Sequence, residues 1–474
     1  MMDAFARTAP DLRSALEMLK RHGDTPIVVE DPLDPNLEIA RHYLENFGTS
    51  PAHPRSGVEP MVLYTNPTGA RMPVLMGVYG ARGRCDRLLG AEPGGIARRI
   101  ADELENRMPV ETLAHPGPSQ TCTLPGKLDD LPVLTVTDRD AGPYLTSGLV
   151  IARDPESGVV NASIHRMRVI DGERLTIWML PGRDLDVLFR KARARGEDLP
   201  ISINIGVAPA IYLTSSITKP FLGTDESELE LAGAVAGASI RVCACDTQDA
   251  WCLADAEIVV EGAITAATHD EYDDPGAPFG MPEFLGYMGM GKAELPLVSV
   301  TKVTTRAAAV YQTFLGPGKE QSELLGIPTE AGMLVQLARR LSDTARVIDA
   351  HYLPAAGGQL LLALRIDKQV EDAAFPRRVL ETAMECHALL KGVLLVDADI
   401  DVASESDLFW AMATRFQPSR DLTVLSGQRG FPLDPSQAPG YLPNTDAPTT
   451  DKYLMDLTVP VSERARFRRV SDLV

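Results

Sequence analysis

Apolar positions recur along this chain with two different periods, and the change from one to the other divides it into three parts. Leu12, Ala15, Leu16 and Leu19 follow the spacing of a single helix face, and Gly23 stands where a left-handed residue would end such a helix. The apolar run at 26–30 predicts a short strand, 36–48 and 94–107 carry further helical spacing, and 73–77 reads as a strand between them. This alternation predicts an α/β domain over 1–118, closing near the Pro/Gly-rich stretch at 115–118.

From 119 to 330 strand-like runs dominate, at 148–152, 160–170, 174–180, 200–207, 238–244, 255–265 and 296–304, with helical insertions at 184–195 and around 226–237. Many short strands with few helices between them predict a β-barrel or sandwich. The section 268–292 is rich in Asp, Pro, Gly and Met and has little periodicity, so it reads as a long loop of the kind that is functional or disordered. Over 331–474 the α/β texture returns, with a strand at 359–366, a helix at 374–390, a strand at 392–397 and a helix at 405–412. The last forty residues read as an irregular, proline-rich tail that needs something to pack on, such as a neighbouring subunit.

Composition mainly excludes. At 474 residues, 45% hydrophobic and 23% charged, the chain has the make-up of an ordinary globular protein of two or three domains. A net charge of −19 argues against nucleic acid or an anionic membrane as partner, and requires local basic residues wherever an anionic ligand binds. There is no apolar run of about 18 residues to span a membrane. The first five residues, Met-Met-Asp-Ala-Phe, lack the basic and apolar regions of a signal peptide, so a cytoplasmic protein is expected. Of the six cysteines only Cys243 and Cys245 are close-spaced, without a second pair at zinc spacing, and all six read as reduced structural thiols.

The densest candidate chemistry lies in 161–168, Asn-Ala-Ser-Ile-His-Arg-Met-Arg. Alternate side chains of an extended segment share a face, which puts Asn161, Ser163 and His165 on one side and Ile164, Arg166 and Arg168 on the other. An amide, a hydroxyl and an arginine this close suit a phosphorylated ligand with a metal ion; a solvated edge strand is the plain alternative. Glu228 precedes Leu229, Ala232 and Gly233, which look buried, whereas Glu226 and Glu230 read as solvated helix surface. Glu283 has apolar neighbours on both sides within 277–287, surroundings in which a carboxyl can carry a proton near neutral pH; the alternative is a loop glutamate facing water. Glu261 reads as structural, and His165 as a hydrogen-bonding rather than a catalytic histidine. No nucleophile elbow, phosphate-binding P-loop or dinucleotide fingerprint occurs, and Gly289-Met-Gly291 lacks the third glycine. These absences argue against a hydrolase, an NTPase and a nicotinamide dehydrogenase.

Seven segments in order carry a family resemblance: 161–166, 214–217, 227–233, 257–262, 316–320, 395–401 and 429–433. Together they resemble the UbiD family of prenylated-FMN-dependent decarboxylases, nearest in look to its protocatechuate and gallate decarboxylase branch through 281–287 and 433–437. The resemblance implies an N-terminal α/β domain, a central split β-barrel that binds the flavin, and a C-terminal α/β domain for oligomerisation. It implies Asn161, Asp184 (in place of the usual histidine) and Glu228 as ligands of Mn²⁺ or Mg²⁺ against the cofactor phosphate, with K⁺ nearby. Further cofactor contacts are implied for Ser163, Ile164, His165, Arg166, Ser215, Ser216 and Lys391. Arg166 would face the substrate carboxylate and Glu283 would protonate the carbon after CO₂ leaves.

The family places a second glutamate where Gly276 stands, so the expected Glu–Arg–Glu trio looks incomplete, with Asp273 or Asp274 as substitutes. Phe431, Pro432 and Leu433 match pocket-lining positions, and Gln321 and Phe431 stand where dihydroxybenzoate decarboxylases carry histidines. The loss of those imidazoles favours an indole- or pyrrole-type acid over a hydroxybenzoate. A protocatechuate/gallate-type decarboxylase and a non-catalytic flavin-binding subunit of a larger decarboxylase are the alternatives. The implied partners are a flavin prenyltransferase, which supplies the cofactor, and further copies of the chain in a homodimer or higher homo-oligomer.

Overall fold

The structure is a computed structural model that describes residues 8–48, 58–114, 116–217, 227–341, 346–369, 371–431, 433–437 and 449–470. Pro432 and Glu226 lie outside the described residues. The chain forms two compact units, one of residues 1–217 with 222–324 and one of 218–221 with 325–474.

The first unit is organised by an antiparallel sheet whose neighbours run Tyr144–Leu145, Met167–Asp171, Arg174–Ile177, Leu295–Thr305, Ile258–His269, Leu199–Ile205, Leu149–Arg153 and Val160–Ile164. The two central strands are long because their residues satisfy both faces: Ile258, Val259, Val260, Val298 and Val303 are wholly buried. Each buried aliphatic side chain of this kind contributes roughly 1.5–3 kcal/mol. One connection dictates the shape of the sheet. Val160–Ile164 lies at one edge and Met167–Asp171 next to the other edge, yet only His165 and Arg166 separate them. Three Cα steps span at most about 11 Å, so the sheet curls until its edges approach, giving an open half-barrel with Arg166 at the seam.

A four-stranded sheet, Ile27–Val29, Val62–Tyr64, Val74–Met76 and Tyr311–Gln312, belongs to the same unit with the helices Leu12–Arg21, Glu38–Asn46 and Ile96–Glu103. The amphipathic spacing that predicts the first helix holds: Leu12, Ala15 and Leu19 are buried, and Asp11 caps it by accepting from Ser14 N. The section 268–292 is less irregular than its composition suggests. The long strand continues to His269, and Phe279–Pro282 pairs with Met288–Met290 as a short hairpin.

The second unit holds a five-stranded sheet in the order Val347–Tyr352, Leu361–Ile366, Gly392–Asp397, Thr449–Asp456, Leu422–Arg429. One departure from the sequence reading stands out, and one element lies where that reading assigned none. The tail read as irregular contributes Thr449–Asp456, parallel to Gly392–Asp397 and inside the sheet. A single helix, Lys319–Arg340, runs through a region where Pro328 masks the helical pattern.

Candidate active site

On the seam strand, alternation does what the sequence reading requires. Ser163 Oγ lies 3.1 Å from Asn161 Oδ1 and 2.9 Å from His165 Nε2, so the three side chains share one face. His165 Nδ1 lies 3.1 Å from the Trp178 carbonyl, which can only accept, so the ring carries its hydrogen on Nδ1 and accepts at Nε2. Burial pulls the His165 pKa down to about 4, against the opposing effect of the Trp178 bond, and keeps the ring neutral.

Glu228 opens the helix Glu228–Ala236 and turns its carboxylate to this strand, accepting from Ala162 N at 3.0 Å and from Asn161 Nδ2 at 3.3 Å. That orientation leaves Asn161 Oδ1 facing Ser163, whose hydroxyl has one proton for two acceptors. Once the proton serves His165 Nε2, Asn161 Oδ1 is an oxygen lone pair suited to a cation. Asp184 is the first residue of the helix Asp184–Ala194, which packs against Leu149–Arg153 and Val160–Ile164. Among the described residues no three His, Cys, Asp or Glu side chains gather as a metal site. Asn161 Oδ1 and the Glu228 carboxylate are oxygen donors, a chemistry that fits Mn²⁺ or Mg²⁺.

Across the seam the structure completes what the sequence left incomplete. Arg166 Nη1 donates to Glu283 Oε1 at 2.5 Å, and Nη2 donates to Glu271 Oε2 at 2.9 Å. The second glutamate is Glu271, with a side chain 1% exposed. The substitutes considered for it are engaged elsewhere: Asp273 receives Arg168 Nη2 at 2.6 Å and Asp274 accepts from Gly276 N at 2.8 Å. Sequence reasoning missed Glu271 because it stands in an acid-rich run, 270–274, that looks solvated. Its signal was its place two residues beyond the end of the long strand at His269, in step with that residue's face.

Arg166 also lies over the Trp178 ring, its Cζ 4.5 Å from the centroid. Burial opposes its charge, but Glu283 and Glu271 overcome this and raise its pKa further. Arg168 secures the segment that bears Glu271 by donating to the Glu271 carbonyl at 3.0 Å. Arg166 Nε and the Tyr144 hydroxyl are buried without a hydrogen-bond partner among the described residues, and Tyr144 sits opposite Arg168 in strand register. These two buried donors beside the trio are polar atoms left for a ligand's acceptor.

Glu283 sits in the hairpin turn, held by its N–H to the Tyr287 carbonyl at 2.8 Å. Glu261 is structural, as its sequence setting implies, accepting from Asp246 N, Thr247 N and Thr247 Oγ1. Ile164 closes the seam strand opposite Leu149, and Ser215 caps the helix Pro209–Thr214 by donating to the Tyr212 carbonyl at 2.9 Å. Ser216 follows it, half-buried. Gln321 belongs to the first unit, with its Oε1 buried and lacking a hydrogen-bond partner among the described residues. Lys391, Phe431 and Leu433 belong to the second unit, where Lys391 Nζ pairs with Asp434 at 2.8 Å and Leu433 is buried.

The open half-barrel thus carries at its seam an arginine held between two carboxylates. Family models for the N-terminal, Rift-related and C-terminal domains of 3-octaprenyl-4-hydroxybenzoate carboxy-lyase match residues 16–104, 112–319 and 323–456. The chain belongs to the UbiD family of carboxy-lyases, whose three-domain mixed α/β architecture it shares. It is 31% identical to the gallate decarboxylase of Lactiplantibacillus plantarum over 98% of both sequences. The apo 3,4-dihydroxybenzoic acid decarboxylase of Enterobacter cloacae superposes with a TM-score of 0.91 at 31% identity, covering 98% of this chain and 97% of that one. A UbiD-class enzyme of Pelotomaculum thermopropionicum in complex with FMN superposes with a TM-score of 0.86 at 30% identity, covering 98% of each. No described helix is long and apolar enough to cross a membrane.

Proposed function

We propose that this enzyme removes the carboxyl group of an aromatic acid of the hydroxybenzoate class without oxidation, using prenylated FMN. The relatives that carry out gallate and dihydroxybenzoate decarboxylation support this substrate class over the indole- or pyrrole-type acid favoured by Gln321 and Phe431. Gln321 still offers a substrate hydroxyl a buried acceptor through Oε1. The observation that carries the reading is the Glu271–Arg166–Glu283 trio.

Bound prenylated FMN supplies the sink for the electron pair released when the carboxyl departs, which no side chain provides. Asn161, Glu228 and Asp184 are the residues that would hold Mn²⁺ or Mg²⁺ against its phosphate, with K⁺ as an accompanying ion. The substrate carboxylate pairs with Arg166, whose guanidinium stays charged at any working pH. Glu283 delivers a proton to the ring carbon once CO₂ has gone, a step worth about 10²–10⁴ in rate. Glu271 holds the other arm of Arg166 and fixes its plane.

The test uses protein made together with a flavin prenyltransferase and a panel of hydroxybenzoates, indole and pyrrole carboxylates, and a non-aromatic unsaturated acid. CO₂ release from a hydroxybenzoate supports the reading, and turnover confined to another arm replaces its substrate class. Uptake of the flavin with no turnover of any acid favours the non-catalytic subunit. Size-exclusion chromatography with light scattering checks the homodimer that completes the proposal.

A further inference from the structure

The proposed chemistry leaves out Lys292, although this residue is tied to the trio from two sides. Glu271 N donates to the Lys292 carbonyl at 2.8 Å, and Lys292 N donates to Glu271 Oε2 at 3.0 Å. Its side chain turns onto Trp178, placing Nζ 5.9 Å from the centroid of the ring that Arg166 covers at 4.5 Å. The ammonium interacts electrostatically with Arg166 at the seam, Glu283 in the hairpin turn and Glu271 in the segment beyond the long strand. Burial and then Arg166 lower its pKa, while Glu283 and Glu271 act in the opposite direction.

The charge balance gives this placement a consequence. With both carboxylates ionised around one guanidinium the cluster carries a net negative charge, which attracts a proton. A second cation makes the doubly ionised state neutral and weakens that hold. We propose that Lys292 is a positioning residue that supplies the second positive charge of the Glu271–Arg166–Glu283 cluster and so sets the pH above which the cluster gives up the proton Glu283 delivers. The use of that proton rests on the decarboxylase reading; the effect of the charge does not.

The experiment compares full-length wild type, Lys292→Met and Lys292→Arg. One readout is the pH profile of CO₂ release by the flavin-loaded enzyme. The other is an infrared titration of protonated carboxyl bands in flavin-free protein, assigned with Glu283→Gln. Lys292→Met should move the alkaline limb and the carboxyl titration upward by about one pH unit, a tenfold change in proton affinity, while Lys292→Arg stays with wild type. Coincidence of Lys292→Met with wild type in the titration overturns the proposal. So does an equal displacement by Lys292→Arg, which would mark a packing effect. Should Lys292→Met not fold, Lys292→Gln carries the same comparison. If wild type turns over no acid, the decarboxylase reading fails while the infrared titration still decides the role of Lys292.

Discussion

Glu283 lies directly against Gly289: a β-carbon at 289 would come within 2.7 Å of Glu283 Cγ and Oε1 and 2.6 Å of the Met281 carbonyl oxygen. The hairpin thus needs glycine at 289 so that the carboxylate can fold back towards Arg166. Gly289→Ala should displace Glu283 from the guanidinium and lower kcat by about 10²-fold, the cost of a misplacement near 1 Å. Flavin uptake should stay at the wild-type level. Steady-state kinetics with an absorbance spectrum of the loaded protein checks both, and undiminished kcat would show that the close approach is unimportant.

The assignment of the second acid to Glu271 separates two sets of variants. Glu271→Gln removes a buried charge from Arg166 and should lower kcat by at least about tenfold, since breaking a charge-assisted contact costs about 1.5–3 kcal/mol. Asp273→Asn weakens an ion pair of an exposed carboxylate with Arg168, and Asp274→Asn an exposed hydrogen bond from Gly276 N; each should change kcat less than about threefold, as expected for surface contacts worth under about 1 kcal/mol. Parallel kinetics on the three variants checks the contrast.

These contacts show what a linear sequence discloses. The shared face of Asn161, Ser163 and His165 was legible because strand alternation is local, and one register fixes all three. The partnership of Arg166 with Glu271 was not: 105 residues separate them, and the acid-rich run around Glu271 has the look of solvated surface. The many short strands foretold a β-barrel or a sandwich, and the family resemblance narrowed this to the split barrel. The strand Thr449–Asp456 was hidden by its proline-rich surroundings, and its parallel pairing with Gly392–Asp397 depends on contacts far away in sequence. Pro328 likewise concealed a helix of 22 residues that tertiary packing sustains.

Metal retention tests the strand-and-helix half of the site. Glu228→Gln keeps an oxygen acceptor for Ala162 N but removes the charge opposite Asn161. The affinity for manganese, measured by elemental analysis on flavin-loaded protein dialysed against graded chelator, should fall by at least about 10-fold, since altering even a ligand's surroundings costs about 10–100-fold. Asp184→Asn should fall in the same direction, and retention equal to wild type would remove Asp184 from the ligand set.

Away from the seam, Glu320 predicts a pH-dependent stability. It is 1% exposed and accepts from Gly77 N and Tyr79 N at 2.9 Å each, while its own N–H reaches Glu59 Oε2 at 3.1 Å. Burial, then the neighbouring Glu59, raises the Glu320 pKa from 4.5 to about 8, against the pull of the two backbone donors. The folded state therefore holds this proton more tightly than the unfolded chain. Its stabilising contribution is complete below pH 4.5 and is lost as pH rises through about 8. Wild type should need less urea to unfold at about pH 9 than at about pH 6. Glu320→Gln, neutral at both, should lose much of that slope while being less stable at the lower pH, since one amide oxygen cannot serve both backbone donors. A slope unchanged by the substitution would assign the pH dependence to other groups.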